Sequence, residues 1–115
     1  MFHKEKMTIF VNGVEQEIEL MPTYQKMFEF VNNYPKAKDI VAVATRKKAV
    51  DYESVMQFIY ISYLGGNNPQ PLLKYEDFLN AIQPSFDRDM LLFAKLMGKN
   101  VSANNVETLS DNEKN

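Results

Sequence analysis

Few residues in this chain could carry chemistry. Its single histidine, His3, lies near the start, so neither a Ser-His-Asp triad nor a two-histidine metal site can be assembled. The absence of cysteine removes disulfides, thiolate nucleophiles and cysteine-ligated zinc. Glu15, Glu17 and Glu19 could do acid–base work, but their strict alternation is that of a solvated strand face. Asp87 and Asp89 suggest a calcium loop, yet the glycine of the sharp turn and the distal glutamate are missing, and helix capping explains them better. Gly65-Gly66 is not followed by Gly-Lys-Ser/Thr, so it reads as a helix stop and not as a phosphate loop. Arg46-Lys47-Lys48 is a short basic run of the kind that marks a solvated corner. With 13 basic and 15 acidic side chains the net charge is -2, which is not the footprint of a dedicated nucleic-acid binder. The expectation is a protein without catalysis, metal or cofactor.

The elements that must position these groups follow from periodicity. Asn12-Gly13 separates two segments of period two within Thr8 to Leu20, and Asn-Gly suits the two-residue type I′ hairpin turn. Ile9 and Val11 share one face of the first arm. Val14, Gln16, Ile18 and Leu20 share one face of the second. Pro22-Thr23 opens a helix whose Tyr24, Met27, Phe28 and Val31 form an inward stripe, and Pro35 ends it. Ala37, Ile40, Val41 and Ala44 mark a second helix over 36–48. Asp51 is the expected N-cap of a third, Tyr52 to Leu64, whose apolar residues run almost all the way round and predict burial on most sides. Residues Lys74 to Gln83 predict a short helix with Tyr75, Phe78, Leu79 and Ile82 inward. Ser85 is the expected cap of the last helix, on which Phe86, Met90, Phe93, Ala94 and Met97 share a face, with Gly98 closing it.

The fold class expected is therefore α+β: an N-terminal β-hairpin packed on a bundle of four to five mostly short helices. At 115 residues the chain fits one domain. Met7 opens a cleaner strand pattern than Met1, so residues 1–6 read as a flexible leader, 7–98 as the globular domain, and 99–115, which lack periodicity, as a disordered polar tail. No window offers the ~18 consecutive apolar residues of a membrane span. No signal-peptide pattern precedes the domain, and the cytoplasm is the expected location.

Eight Phe, six Tyr and seven Met stand out in so short a chain. Core packing is their ordinary use. The last helix, however, combines Met90, Leu91, Leu92, Phe93, Leu96 and Met97, a stripe wider than one contact face needs, and methionine-rich helical surfaces adapt to varied partners. Such a stripe also suits self-association. The candidate partner-binding positions are Tyr75, Phe78, Leu91, Leu92, Leu96 and Met97.

The order of an Asn-Gly hairpin, an aromatic helix, a central helix ending in tyrosines and Gly-Gly, then LLKYEDFLNAI followed by PSFDRDM and a terminal helix with Phe93 and Leu96, resembles the small tail assembly chaperones of long-tailed phages and prophages of Gram-positive bacteria. The resemblance spans about Met7 to Met97. It implies a non-catalytic assembly factor that coats the hydrophobic tape-measure protein and recruits tail-tube subunits, with no nucleic-acid or membrane partner and with homo-oligomerisation open. Two other readings stand beside it. MTIFVNGVEQEIEL is similar to the first hairpin of ubiquitin-like and sulfur-carrier domains, but their terminal Gly-Gly is internal here. A small helical DNA-binding regulator would need a basic recognition helix that the chain lacks.

Overall fold

The computed structural model describes residues 2–34, 40–45 and 51–98. An N-terminal antiparallel hairpin, β1 (Glu5–Val11) and β2 (Val14–Leu20), packs against five helices: α1 (Tyr24–Asn33), α2 (Ile40–Ala44), α3 (Tyr52–Gly65), α4 (Tyr75–Ala81) and α5 (Phe86–Leu96). The remainder of the helix expected over 36–48, the Arg46-Lys47-Lys48 corner and the tail 99–115 lie outside the described residues.

The hairpin turns through Asn12 at φ 53° and Gly13 at φ 77°. Both values are positive, as the type I′ turn demands, and this is why asparagine and glycine stand there. Val11 pairs with Val14, and the register continues through Ile9 with Gln16 and Met7 with Ile18 to Glu5 with Leu20. Met7, Ile9, Ile18 and Leu20 form the buried face. Lys6, Thr8, Phe10, Glu15 and Glu17 lie exposed on the other, where Lys6 and Glu17 approach to 3.6 Å. Burial fades toward the turn, so Val14, expected on the inward face, is 66% exposed.

Residues 2–6, expected to be a flexible leader, belong to the fold. β1 begins at Glu5, the His3 N–H donates to the Leu96 carbonyl at 2.9 Å, and Phe2 packs against the core with its ring 5.8 Å from that of Phe58.

Helix α3 is the hub. Its Asp51 cap accepts from the Ser54 N–H at 2.7 Å, and residues 54–56 and 58–63 are all buried. β2, α1, α2, α4 and α5 each lie against it. The end of α3 meets the end of β2 at backbone distance. A Cβ on Gly65 would collide with the Met21 carbonyl oxygen, and one on Gly66 with that of Glu19. Neither glycine has the positive φ of a left-handed cap, Gly66 standing at φ -81°. Gly65-Gly66 does end the helix region, but close approach of two backbones is the reason both are glycine. The junction is closed by hydrogen bonds. Met21 N–H donates to the Ser62 carbonyl at 2.8 Å. The buried Asn68 side chain accepts from the Glu19 N–H at 2.7 Å and donates to the Glu19 and Tyr63 carbonyls at 2.8 and 2.9 Å. Asn68 thus pairs with the outer edge of β2 as a strand would.

Helix ends elsewhere are mixed. Thr23 Oγ1 caps α1 by accepting from the Lys26 N–H at 3.1 Å. Gly98 adopts φ 84° and donates to the Lys95 carbonyl at 2.9 Å, the left-handed cap expected of it. Ser85 occupies the N-cap position of α5 but its side chain makes no capping bond, so the expected hydroxyl cap is absent.

Gly66→Ala forces the two backbones apart and lowers stability by about 1–3 kcal/mol or more. Asn68→Leu removes the partner of the Glu19 N–H and costs about 1–3 kcal/mol for each polar group left unpaired. Urea unfolding midpoints measure both. A Gly66→Ala protein as stable as the parent would mean that the strand and helix do not meet as described.

Candidate partner-binding surface

The six positions expected to bind a partner do not form one surface. Phe78 and Leu96 are fully buried, and Leu92 is 8% exposed. They are core, and the expectation that they contact a partner is corrected. The cause is that α5 lies between α3 and β1 and so buries two faces, not one. A stripe wider than a single contact is what such a position requires. Leu91, Met97 and Tyr75 are half-buried against the core edge.

Phe78 and Tyr75 belong to an aromatic cluster shared by α1, α3 and α4. Phe78 stacks on Tyr63 at 4.9 Å and leans on Tyr60 at 5.3 Å. Phe30 meets Tyr34 at 4.6 Å, Tyr60 at 5.7 Å and Tyr75 at 5.6 Å. Two tyrosine hydroxyls of this cluster grip the backbone of one residue in the α3–α4 connection: Tyr60 donates to the Leu73 carbonyl and Tyr63 accepts from the Leu73 N–H, each at 2.9 Å. Burial is the main cause that pushes the Tyr60 and Tyr75 hydroxyls up to about 12, with nearby tyrosine and glutamate oxygens adding to it.

Glu15 and Glu17 are exposed, as a solvated strand face requires. No group of three His, Cys, Asp or Glu that could hold a metal exists among the described residues. Asp89 was expected to serve the helix end; instead it is fully buried. It accepts from the Tyr52 hydroxyl at 2.6 Å and from Arg88 Nε and Nη2 at 3.2 and 3.0 Å, while Arg88 Nη2 also donates to the Gln83 carbonyl at 2.6 Å. This network joins the start of α3 to the start of α5 and to the α4–α5 connection. The Tyr52 hydroxyl is also pushed up to about 12, by burial first and then by its bond to Asp89.

The surface that sequence reasoning missed is aromatic. Tyr24 and Phe28, expected inward, are 48% and 55% exposed, because α1 turns Phe30 to the core beside Met27, which is buried as expected. Their rings lie 6.3 Å apart and nearly parallel, and Phe2 extends the row 5.4 Å beyond Tyr24. Tyr52 and Phe86, also expected inward, form a second exposed pair with rings 5.3 Å apart. Leu79 is 37% exposed against the inward place expected for it. The signal was there in part: α1 carries aromatics at both Phe28 and Phe30, and periodicity cannot tell which of two adjacent stripes faces in.

No helix among the described residues is long and apolar enough to cross a membrane. Compared with protein-family models, curated proteins and solved structures, the chain gives no match in any of the three.

Leu96→Asp unfolds the protein, since a buried charge without a partner costs several kcal/mol, ~3 or more. Phe28→Asp leaves the circular dichroism spectrum and melting temperature near those of the parent. The tyrosines set an alkaline limit. The hydroxyls of Tyr52, Tyr60 and Tyr75 ionise near 10 when unfolded and at about 12 when folded. The folded state therefore holds its protons longer, stability is level below pH 10, and it falls between about pH 10 and 12. Denaturant midpoints across that range check the slope; a flat profile would remove the burial argument.

Proposed function

We propose that this chain is a non-catalytic binding protein of the tail assembly chaperone kind, which covers apolar stripes of a tape-measure protein and recruits tail-tube subunits. The observation that supports the reading is the aromatic row Phe2, Tyr24 and Phe28. Its outer rings are exposed, yet its root rests on buried Phe58. Ordered aromatic side chains bring large contact area at small entropic cost, and such residues dominate binding energies at interfaces. An elongated helical partner offers apolar stripes that would aggregate if left bare, and many weakly held copies along one filament reinforce one another. The binding positions proposed are thus Tyr24 and Phe28 of α1, in place of Leu92 and Leu96.

The test is co-expression with a tape-measure protein and a tail-tube protein, followed by affinity capture. The parent protein keeps the tape measure soluble and co-purifies with it. A Tyr24→Asp/Phe28→Asp double variant stays folded and loses capture, with each aromatic worth about 2 kcal/mol or more of binding. Capture unaffected by the double variant moves the interface elsewhere, and a parent protein that ignores both partners sinks the chaperone reading.

A further inference from the structure

The two outer edges of the hairpin are not alike. In a hairpin with a two-residue turn the residues flanking the turn form a hydrogen-bonded pair, and bonded pairs then recur at every second position. The bonded pairs here are Val11 with Val14, Ile9 with Gln16, Met7 with Ile18 and Glu5 with Leu20. Lys6, Thr8 and Phe10 accordingly aim their N–H and C=O groups away from β2. Glu15, Glu17 and Glu19 do the same on the far side, and the bonds of the Glu19 backbone to Asn68 verify that parity.

On the β2 side the edge is stopped by Asn68 and carries a row of three glutamates. On the β1 side the outward groups of Lys6, Thr8 and Phe10 have no backbone partner among the described residues. Two clefts run beside that edge. One, of about 370 Å³, lies against α5 and is lined by Lys6, Thr8, Arg88, Leu91 and Lys95 together with Glu5 and Glu17. The other, of about 420 Å³, lies against α4 and has Asp77 as its one charged lining residue, beside Phe10 and Asn80.

We propose that β1 pairs edge to edge, antiparallel, with β1 of a second copy of this chain, about a two-fold axis at Thr8. β1 spans seven residues and Thr8 is its middle one. That register pairs the whole strand: Thr8 with its own counterpart, Lys6 with Phe10 of the other copy, and Met7 with Ile9 of the other copy. The buried apolar face thus continues across the joint. On the outer face the half-exposed Phe10 ring is covered by the opposing Lys6 stem, a cation–aromatic contact. The same axis brings the cleft of Lys95 and Arg88 beside the Asp77 cleft of the second copy, so opposite charges meet twice. Pairing centred on Lys6 would instead set lysine against lysine, which selects the Thr8 register. The edge of β2, with glutamate facing glutamate, has no such solution.

Sedimentation and light scattering of the full chain over a range of concentrations give the mass of two chains. Thr8→Pro removes an N–H that points away from β2, so the hairpin keeps its internal bonds while the joint is blocked, and the mass falls to one chain with the circular dichroism spectrum unchanged. Because the chain has no cysteine, Thr8→Cys supplies a unique thiol at the axis. A short thiol-reactive linker joins two copies of that variant and fails with Glu15→Cys on the other edge; this arm decides the matter if Thr8→Pro does not fold. A parent protein that stays a single chain at every concentration overturns the proposal. So does a dimer that survives in a folded Thr8→Pro variant, or one that cross-links equally through the Glu15→Cys variant. A single-chain protein whose β1 amides become protected only when a different partner is added also overturns it, in favour of a foreign strand on the same edge.

Discussion

The backbone contact between the end of β2 and the end of α3 is the constraint on which the remaining packing depends. Gly65 and Gly66 let the helix terminus reach the Met21 and Glu19 carbonyls, where any Cβ would collide. The approach is held by the Met21 to Ser62 bond and by the three bonds of Asn68. A two-stranded sheet is marginal alone. Here it becomes part of a core because β2 lies directly on the most buried helix of the protein, so Ile18 and Leu20 share surroundings with residues 55 to 63.

From that junction the core spreads by aromatic contact. Tyr60 meets Phe30, Tyr75 and Phe78, Tyr63 stacks on Phe78, and the hydroxyls of both hold the Leu73 backbone. Phe30, Tyr34 and Tyr75 in turn touch one another. Burying a tyrosine is economical only when its hydroxyl finds a partner. The one N–H and the one carbonyl of Leu73, in an irregular segment, supply it for both residues. On another part of α3, Phe58 meets Phe93 and Phe2, and the Tyr52–Asp89–Arg88 network ties the helix starts together. No buried side-chain nitrogen or oxygen among the described residues lacks a partner, so the polar groups in this core specify geometry without leaving an uncompensated charge.

Core and binding surface compete for the same residue types in so aromatic a chain. Tyr24 and Phe28 are chemically no different from Phe30 and Tyr34, which stand further along the same segment. They differ only in which side of α1 faces α3. The same ambiguity acts in reverse on α5, where Leu92 and Leu96 widen the apolar stripe because β1 lies over them. Excess hydrophobicity on α5 therefore marks core, while the exposed rings of α1 carry the same periodicity as core residues.

What the sequence determined by itself was local. Asn12-Gly13 with period-two flanks dictates a hairpin, since few other dipeptides tolerate two positive φ angles. Asp51 and Thr23 mark helix starts through their side-chain oxygens, and Gly98 marks an end through its left-handed backbone. Each of these depends on residues within a few positions of one another. Tertiary structure alone decided the long-range features: that Asn68 completes the edge of β2 from 49 positions away, that Gly65-Gly66 serves a close crossing more than a helix stop, that Asp89 is buried against Tyr52, and which stripe of α1 faces water. The physical reason is common to all of them. Helical and strand periodicity define the faces of an element but not the number of neighbours that cover it. A polar or small residue reveals its purpose only through the group placed opposite.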